Sequence, residues 1–357
     1  MTETNLIGSG IYSIVTSPGI LCSENWHIPY SNSHENDVFK IFYSDESKQD
    51  YEDEMKILSK IIKITNYDAF TAPVKGACVV RVNEIPSNIM KILLKYNPNI
   101  KNQETIYQII FGYCGISLCK SNLSKMSYKR WLNILRDFFK GLQDIHENGI
   151  VHRDITPSNV LYDCESKSLK LIDFGIGIDA TSVFSNKDDA TFVLSSMYKF
   201  SPPEFYIAYQ MHSRMLSESN FQSAFVQTFD SLTHNTKTLR NFYREHYWKH
   251  EESIMYDISL YAKGFEEIEK EFDLNIVQSV EQMFPIDTAY KCDVFAISLL
   301  LKYIQDFITF ENEKEKKHFD LMVSKSSCFN PFKRMSMKDL ISHIDGFSID
   351  DNIFLRI

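Results

Sequence analysis

The sequence has few of the features that mark secreted, membrane-spanning or zinc-binding proteins. The first twenty residues lack the basic segment followed by an apolar segment that forms a signal peptide. The longest apolar stretch, Val294 to Leu301, is interrupted by Ser298 and is too short to span a bilayer. Seven cysteines are scattered, odd in number and free of any Cys-x-x-Cys pair. We therefore expect an intracellular protein without a membrane span, a disulfide framework or a structural zinc site.

An excess of positive charge is also absent. The chain has 38 Lys and Arg residues and 47 Asp and Glu residues, which give a formal net charge of −9. We therefore do not expect a protein that binds nucleic acid through contacts to its phosphates. Hydrophobic residues make up 44% of the chain and charged residues 24%, which is typical of a globular protein. A length of 357 residues allows two domains or one two-lobed enzyme.

Two short polar motifs stand close together in the middle of the chain. Residues 152–161 read HRDITPSNVL, and residues 171–175 read LIDFG. Phosphoryl transfer from Mg-ATP requires one acid at the attacking hydroxyl and further oxygen ligands for the metal. The pair resembles the catalytic and metal-binding loops of eukaryotic-type protein kinases. The resemblance implies that Asp154 is the catalytic base, that Asn159 and Asp173 hold Mg²⁺, and that ATP phosphorylates a protein substrate.

The N-terminal part contains candidate contacts for the ATP phosphates. Residues 7–15 read IGSGIYSIV and resemble the kinase Gly-rich loop at Gly8, Ser9 and Gly10, with Ser13 where a third glycine usually stands. By the same resemblance Lys40 contacts the α- and β-phosphates. Its expected partner on the following helix is Glu54, preferred to Glu52. For residues 7–15 the alternative to a phosphate-binding loop is a simple hairpin turn. For Lys40 and Glu54 the alternative to a functional pair is two solvated surface charges.

A candidate adenine site follows near residue 111. Residues 109–115 read IIFGYCG and resemble the hinge of a protein kinase. The resemblance makes Phe111 the gatekeeper and implies hydrogen bonds from the backbones of Gly112 and Cys114 to adenine. A core strand that ends in a turn is the simpler alternative. The implied apolar walls of the pocket are Val15, Val38 and Leu161.

Later motifs resemble structural features of protein kinases that small-molecule kinases usually lack. Residues 201–204 read SPPE and resemble the Ala-Pro-Glu motif, whose Glu204 is expected to pair with Arg334. Asp293 resembles the helix aspartate that holds the catalytic loop, and Arg153 is expected to bind a phosphate on the activation segment. The candidate phosphorylation sites are Thr181, Ser182, Ser185, Thr191, Ser195 and Ser196.

Two departures from the family lie near the catalytic acid. Thr156 replaces the lysine usual in Ser/Thr kinases, and Met197 replaces a threonine that meets it, although Ser196 could substitute. Without that lysine we expect a slower enzyme. The alternative is a pseudokinase that acts as a nucleotide-binding scaffold or interaction module. Residues 155–158 lack the substitutions usual in tyrosine kinases, so Ser/Thr specificity is preferred.

The order of predicted elements indicates an α+β protein of the bilobal kinase type. Strands are predicted in residues 1–20, a surface loop in 23–36, a strand in 38–43 and a helix in 50–63. Two or three further strands are expected up to Phe111, and mostly helices from Ser127 onward. We therefore expect an N-lobe of residues 1–111, with a small antiparallel sheet and one helix, and a helical C-lobe of residues 112–357, with ATP between them.

The interval from Glu204 to Asp293 is much longer than the connection in the family, so residues 205–289 are predicted to be a helical insertion. It is rich in aromatic residues, and helical spacing recurs at Phe265, Ile268, Phe272 and Ile276. The insertion is either a helical pad on the large lobe or a docking surface for a protein substrate or partner. This insertion, the long polar loop and an AT-rich composition resemble kinases of nucleocytoplasmic large DNA viruses.

Overall fold

The chain divides into two compact units, each described here by itself. In the computed structural model the first unit is Met1–Leu118 with Val160–Ile176, and the second is Cys119–Asn159 with Gly177–Ile357. Among the residues that the structure describes, no helix is long and apolar enough to cross a membrane. Those residues are 4–10, 12–20, 22, 26–30, 36–121, 123–183, 202–215, 220–234, 265–273, 276–277 and 279–354.

The first unit is built on a six-stranded sheet in which all pairs of neighbours are antiparallel. The order across the sheet is β1-β2-β4-β6-β5-β3. Its central strands are rich in β-branched and aromatic residues, which favour a pleated and buried surface. The strands are β1 (Asn5–Ser9), β2 (Ser13–Ser17), β3 (Trp26–Ile28), β4 (Val38–Phe42), β5 (Val74–Arg81) and β6 (Thr105–Phe111).

Two helices pack in the first unit, α1 (Ser47–Ile61) and α2 (Ser87–Tyr96). Helix α1 contacts β4 and β6 with the face that carries Glu54 and Leu58. The prediction of a helix near residues 50–63 thus corresponds to α1, whose apolar residues recur at helical spacing.

Seven short strands form three small sheets. In the first unit the order is β11-β10-β7, and in the second unit β12 pairs with β9 and β13 pairs with β8. Strands β9 and β10 lie on either side of the HRD loop, and strands β11 and β12 lie on either side of the turn that contains Asp173. The strands are β7 (Ile116–Ser117), β8 (Met126–Ser127), β9 (Ile150–Val151), β10 (Val160–Asp163), β11 (Ser168–Leu171), β12 (Ile178–Asp179) and β13 (Ile308–Thr309).

The second unit is mainly helical. Its long helix α3 buries one apolar stripe and ends before Gly149, whose φ of 79° is a left-handed conformation that glycine adopts easily. Together with the sheet of the first unit, these helices confirm the α+β fold class. The helices are α3 (Tyr128–Glu147), α4 (Ala180–Val183), α5 (Pro203–Met215), α6 (Phe221–His234), α7 (Val280–Met283), α8 (Ile286–Ile304), α9 (Glu313–Ser326) and α10 (Met337–Phe354).

Two element predictions for the first unit were wrong in part. The predicted loop 23–36 contains strand β3, which pairs with β5 at the edge of the sheet, Trp26 opposite Cys78. Two strands, β5 and β6, follow α1 up to Phe111, within the expected number. The expectation of one helix in this region was wrong, because residues 87–96 form a second helix, α2, in which Ile89 and Leu93 at a spacing of four are buried. The sulfur atoms of Cys22 and Cys78 are bonded in this unit.

Part of the predicted insertion belongs to a buried core. Helices α5 and α6 and the helical residues 265–269 form a cluster with Phe284 and Cys292 in the second unit. The helical spacing expected through Ile276 was wrong at its end, because the helix stops near residue 269 and Ile276 is 72% exposed. Residues 235–264, which carry many of the predicted aromatic contacts, lie outside the described part of the chain.

Candidate active site

The first unit contains a buried lysine between two carboxylates. Lys40 lies on β4, and its Nζ donates to Glu54 Oε2 on α1 at 2.6 Å. The same Nζ donates to Asp173 Oδ1, which follows β11, at 2.7 Å. The antiparallel register places Lys40 opposite Val15 on β2 and opposite Ile109 on β6, in the middle of the sheet. The structure therefore brings together three residues that stand far apart in the sequence.

The two acids differ in their surroundings. Burial raises the pKa of Glu54 to about 7, although the charge of Lys40 opposes the shift. For Lys40, burial alone would lower the pKa, but the charges of Asp173 and Glu54 outweigh it and raise the pKa. The Asp173 side chain is 46% exposed, so it presents a carboxylate to solvent while it contacts the lysine.

The turn after β11 is shaped around these charges. Asp173 has a φ of 66°, which is an uncommon conformation for a residue other than glycine. A Cβ atom added to Gly175 would lie 3.3 Å from Asp173 Oδ1 and 3.4 Å from Glu54 Oε2. Gly175 is therefore part of the site through close packing, and the sequence indicated it only as the last residue of the LIDFG motif.

The predicted Gly-rich loop is the turn between β1 and β2. Gly10 N–H donates to Ser13 O at 2.8 Å, and Tyr43 Oη donates to Gly10 O at 2.7 Å. Ser9 and Gly10 are exposed, whereas Ser13 is buried in β2 opposite Phe42. A Cβ atom at Gly8 would meet no atom within 4 Å, so packing in this unit does not require that glycine.

The residues of the predicted adenine site also lie in the first unit. The Gly112 N–H donates to Pro73 O at 2.8 Å, and a Cβ atom at Gly112 would approach Pro73 Cγ to 2.9 Å. Packing therefore requires this glycine. Cys114 is buried, and burial raises the pKa of its thiol to about 12. The half-buried apolar side chains of the unit include those predicted as walls and gatekeeper, Val15, Val38, Phe111 and Leu161.

The second unit carries the loop with the candidate catalytic acid. The side-chain Nδ2 of Asn159 donates to Asp154 Oδ2 at 2.7 Å and to Asp154 O at 3.0 Å. These bonds orient the two side chains and direct the amide oxygen of Asn159 away from Asp154. The Asp154 N–H in turn donates to Nδ1 of the buried His152 at 3.1 Å.

Asp293 of α8 holds the backbone of this loop. Its carboxylate accepts hydrogen bonds from the backbone N–H groups of His152 and Arg153, both at 2.8 Å. His146 Nε2 lies 2.9 Å from the same carboxylate, a partner that no sequence motif indicated. Burial alone would raise the pKa of Asp293, but these bonds and the nearby histidines lower it. Arg153 is buried with a φ of 72°, so the carboxylate supports an uncommon backbone conformation.

Thr156, which stands where the family has lysine, points into its own loop. Its side chain is buried, and its Oγ1 lies 2.7 Å from Ser158 Oγ. The same oxygen accepts from the backbone N–H of Asn159 at 3.3 Å. The hydroxyl therefore braces the turn that carries Asn159, a local arrangement common for threonine.

The predicted pair of Glu204 and Arg334 is buried in the second unit. Arg334 donates to both carboxylate oxygens of Glu204, at 2.5 and 3.0 Å. Thr181 is exposed and donates to Asp179 Oδ1 at 2.6 Å. The other predicted features of the activation segment lie outside the described residues, namely the side chain of Ser182 and residues Ser185, Thr191, Ser195, Ser196, Met197 and Ser201.

Asp173 in the first unit and Asn159 in the second unit each carry an oxygen atom of the type that hard cations prefer. Within the described ranges no group of three or more His, Cys, Asp or Glu side chains forms a metal cage. Mg²⁺ is usually held by one or two protein oxygens together with substrate phosphates and water. A further buried acceptor in the first unit is Glu54 Oε1, which has no hydrogen-bond partner among the described residues.

Comparison with known proteins identifies the family. Residues 87–344 match the family described as protein kinase domain, which is more than half of the chain. The chain belongs to the protein kinase domain family.

Similarity to individual proteins covers shorter segments. The chain is 26% identical over 183 residues (44% of the chain) to a probable serine/threonine-protein kinase, fnkB, of Dictyostelium discoideum. It is 29% identical over 171 residues (47% of the chain) to a probable casein kinase II subunit alpha homolog of Encephalitozoon cuniculi. The aligned segments span 32% and 49% of those two proteins.

Proposed function

We propose that this protein transfers the γ-phosphate of Mg-ATP to Ser or Thr hydroxyls of protein substrates. The observation that carries the proposal is the position of Lys40 Nζ, 2.6 Å from Glu54 and 2.7 Å from Asp173. A buried ammonium that two acids keep charged is a fixed positive site suited to phosphate oxygens. The similar proteins that are described as serine/threonine kinases support this choice of acceptor.

The residues of the first unit are assigned to the nucleotide. Lys40 binds the phosphates, and Glu54 orients it. The segment of Gly8, Ser9 and Gly10 would approach the phosphates closely, because two of its three residues have no side chain and Ser9 and Gly10 are exposed. Since the Gly112 N–H is bonded to Pro73, its carbonyl and the backbone of Cys114 are the proposed groups for adenine. The apolar walls would be Val15, Val38, Phe111 and Leu161.

The loop of the second unit is assigned to the acceptor and the metal. Asp154 accepts the proton of the substrate hydroxyl, and Asn159 holds Asp154 through its amide nitrogen at 2.7 Å. The Asn159 amide oxygen and the Asp173 carboxylate would hold Mg²⁺, which would neutralise charge on the phosphates when bound. Arg153 is proposed to bind a phosphate group on the activation segment when that segment is phosphorylated.

A pseudokinase that binds nucleotide without turnover is the alternative. The buried, inward-facing Thr156 favours it, because no lysine at this position can stabilise the transferred phosphate. A docking role for the predicted insertion 205–289 also stays a prediction, with a protein substrate or another protein partner as the bound molecule.

The test is transfer of radiolabelled phosphate from Mg-ATP to casein by the purified full chain and its Asp154→Asn variant. We expect transfer by the unaltered chain and a loss of about 10²–10⁴-fold in the variant, because a positioned base contributes that much. Acid hydrolysis of the product identifies the acceptor residue. Binding of a fluorescent ATP analogue should be nearly equal in both proteins.

Equal transfer by both proteins would exclude Asp154 as the base. Binding of the analogue without transfer by the unaltered chain would instead favour the pseudokinase. Loss of both transfer and binding in the variant would show that Asp154 is needed for the fold, and circular dichroism of the two proteins detects this outcome.

A further inference from the structure

A cavity that is open to solvent lies in the second unit, apart from the residues assigned to phosphoryl transfer. Its volume is about 630 Å³. Helix α8 contributes Lys291, the end of α9 contributes Lys325, and helix α10 contributes Asp339 and Ser342. The turn between α9 and α10 adds Lys333 and Arg334. A cavity of this size accommodates a small organic ligand or one residue of a peptide with its neighbours.

The cavity is basic in a protein that is acidic overall. Four of its side chains are lysine or arginine and one is a carboxylate, whereas the whole chain has a formal net charge of −9. Like charges brought together cost free energy unless a counter-charge lies among them. The charge of the cavity therefore depends on which of these cations have an anionic partner.

Two of the four cations are paired. Arg334 uses both terminal nitrogens on Glu204, and its remaining donors reach backbone carbonyls of residues 291, 328 and 329. Lys333 Nζ lies 3.0 Å from Glu271. These pairs account for half of the positive charge in the wall.

The carboxylate that lines the cavity, Asp339, is already hydrogen-bonded at the N-terminus of α10. Asp339 Oδ2 accepts hydrogen bonds from the backbone N–H and from the hydroxyl of Ser336, and the Asp339 N–H donates back to that hydroxyl. This reciprocal arrangement caps α10 at its N-terminus. The hydrogen bonds from Ser336 lower the pKa of Asp339, and Lys291 adds to the shift.

Two lysines and one hydroxyl retain donors toward the cavity. Lys291 Nζ donates to Pro331 O at 2.9 Å, which leaves two of its three N–H groups. For Lys325 and Ser342 the described part of the chain provides no side-chain hydrogen bond or ion pair. Burial and the nearby charge of Arg334 lower the pKa of Lys291. An anion in the cavity would favour the charged form of this lysine and so oppose that shift.

We propose that this cavity binds a phosphate monoester, with Lys291, Lys325 and Ser342 as its donors. Lysine ammonium groups act as compact point charges on phosphate, and a hydroxyl adds a neutral donor to the remaining oxygens. The group is recognised either on a phosphorylated peptide or as a small free phosphate. The proposal does not depend on catalysis by this protein, since none of the three donors belongs to the candidate active site.

The test is fluorescence anisotropy with a labelled peptide that contains one phosphoserine, measured on the full chain without nucleotide or Mg²⁺. We expect the phosphorylated peptide to bind and the same peptide with serine to bind at least about tenfold more weakly, because charge-assisted bonds are lost. Lys325→Glu should weaken binding of the phosphorylated peptide by about tenfold or more. Lys325→Gln, which removes the charge without reversing it, should weaken binding by a smaller factor.

Lys317→Glu is the matched control. Lys317 lies on the same helix, is exposed and is outside the cavity, so it makes the same change of charge without altering the proposed donors. Equal weakening by Lys317→Glu and Lys325→Glu would show only general charge attraction and would overturn the proposal. Binding without dependence on the phosphate would overturn it as well.

Competition identifies the source of the phosphate. Displacement of the labelled peptide by millimolar inorganic phosphate would support a site for the phosphate group alone. Displacement only by an unlabelled phosphopeptide, with the loss in Lys325→Glu retained, would support a site for a phosphorylated peptide. Comparing circular dichroism spectra of the three variants establishes that each is folded.

Discussion

Individual charged residues in the candidate site owe their properties to a few contacts. Glu54 and Asp173 approach the same ammonium group of Lys40, but Glu54 is buried and Asp173 is half exposed. Burial gives Glu54 a raised pKa of about 7, so its charge depends on Lys40. Asp173 remains accessible for a cation. One carboxylate is therefore a candidate orienting group for Lys40, and the other is a candidate metal ligand.

Thr156 provides a prediction for a single side chain. Thr156→Val keeps the shape of the side chain and removes the hydroxyl that accepts from Asn159 N–H at 3.3 Å. One neutral hydrogen bond is worth about 0.5–1.5 kcal/mol, so we expect phosphate transfer to fall by about 2- to 10-fold. Because Asn159 is a proposed metal ligand, the Mg²⁺ concentration for half-maximal transfer should rise. Steady-state kinetics at several Mg²⁺ concentrations measures both effects.

Thr156→Ser is the control for this change, since it retains the hydroxyl and should restore transfer and Mg²⁺ dependence. A valine variant with the rate and Mg²⁺ dependence of the unaltered chain would show that the hydroxyl does not position Asn159.

Packing between secondary-structure elements sets the next level of organisation. Helix α8 holds the loop that carries Asp154 through Asp293, and α10 packs against α3. Rings of α9, those of His318 and Phe319, contact Tyr128 of α3. His318 also stacks on His343 with ring centroids 4.0 Å apart, and its Nδ1 lies 2.5 Å from Tyr128 Oη. Burial is the main cause that lowers the pKa of His318 to about 4; the hydrogen bond to the His343 backbone opposes the shift, and the charges of His343 and Lys314 add to it.

This histidine predicts how stability depends on pH. The folded-state pKa of His318, about 4, lies below its ordinary value of 6.5, so the unfolded chain binds a proton first as pH falls. The contribution of His318 to the free energy of unfolding should therefore decrease as pH falls from about 6.5 to 4. Urea unfolding at a series of pH values measures this slope.

In His318→Gln the titrating group is absent, so stability should change less steeply over that interval, even if the variant is less stable at pH 7. A slope identical to that of the unaltered chain would show that His318 does not hold a lowered pKa.

For the molecule as a whole, the described residues of the predicted insertion are a structural part of the second unit. Phe225 and Phe229 of α6 stack with centroids 4.5 Å apart in a core shared with Phe265 and Phe284. Buried aromatic residues of this kind supply much of the stability of a small unit. Removing the insertion would therefore remove part of this core together with any docking surface.

Single substitutions separate the two roles of α6. Phe229→Ala, at a fully buried position, should lower the free energy of unfolding by about 3–5 kcal/mol because it leaves a cavity. Val226→Ala, three residues away and 56% exposed, should change it by less than about 0.5 kcal/mol. Thermal unfolding of both variants measures the difference, and similar losses would contradict the burial of α6.

The fold class followed from the sequence because strand-like and helix-like segments are segregated along the chain. The helix that carries Glu54 and the long helix from residue 128 have strong periodicity. Strand β3 and helix α2 were missed because a three-residue edge strand has little pattern and α2 is short. The prediction that helical spacing continues to Ile276 was wrong, because apolar spacing does not determine where a helix stops.

The sequence by itself determined the protein family and the identity of the polar groups, because the HRDITPSNVL and LIDFG motifs and their spacing are properties of the residue order alone. Only the tertiary structure decided how those groups are held. Lys40 meets Asp173 through the register of β4 and the turn after β11, Thr156 turns inward to brace its loop, and His146 joins Asp293. Such contacts join residues remote in sequence, and their energies depend on burial and distance, which residue type and spacing do not specify.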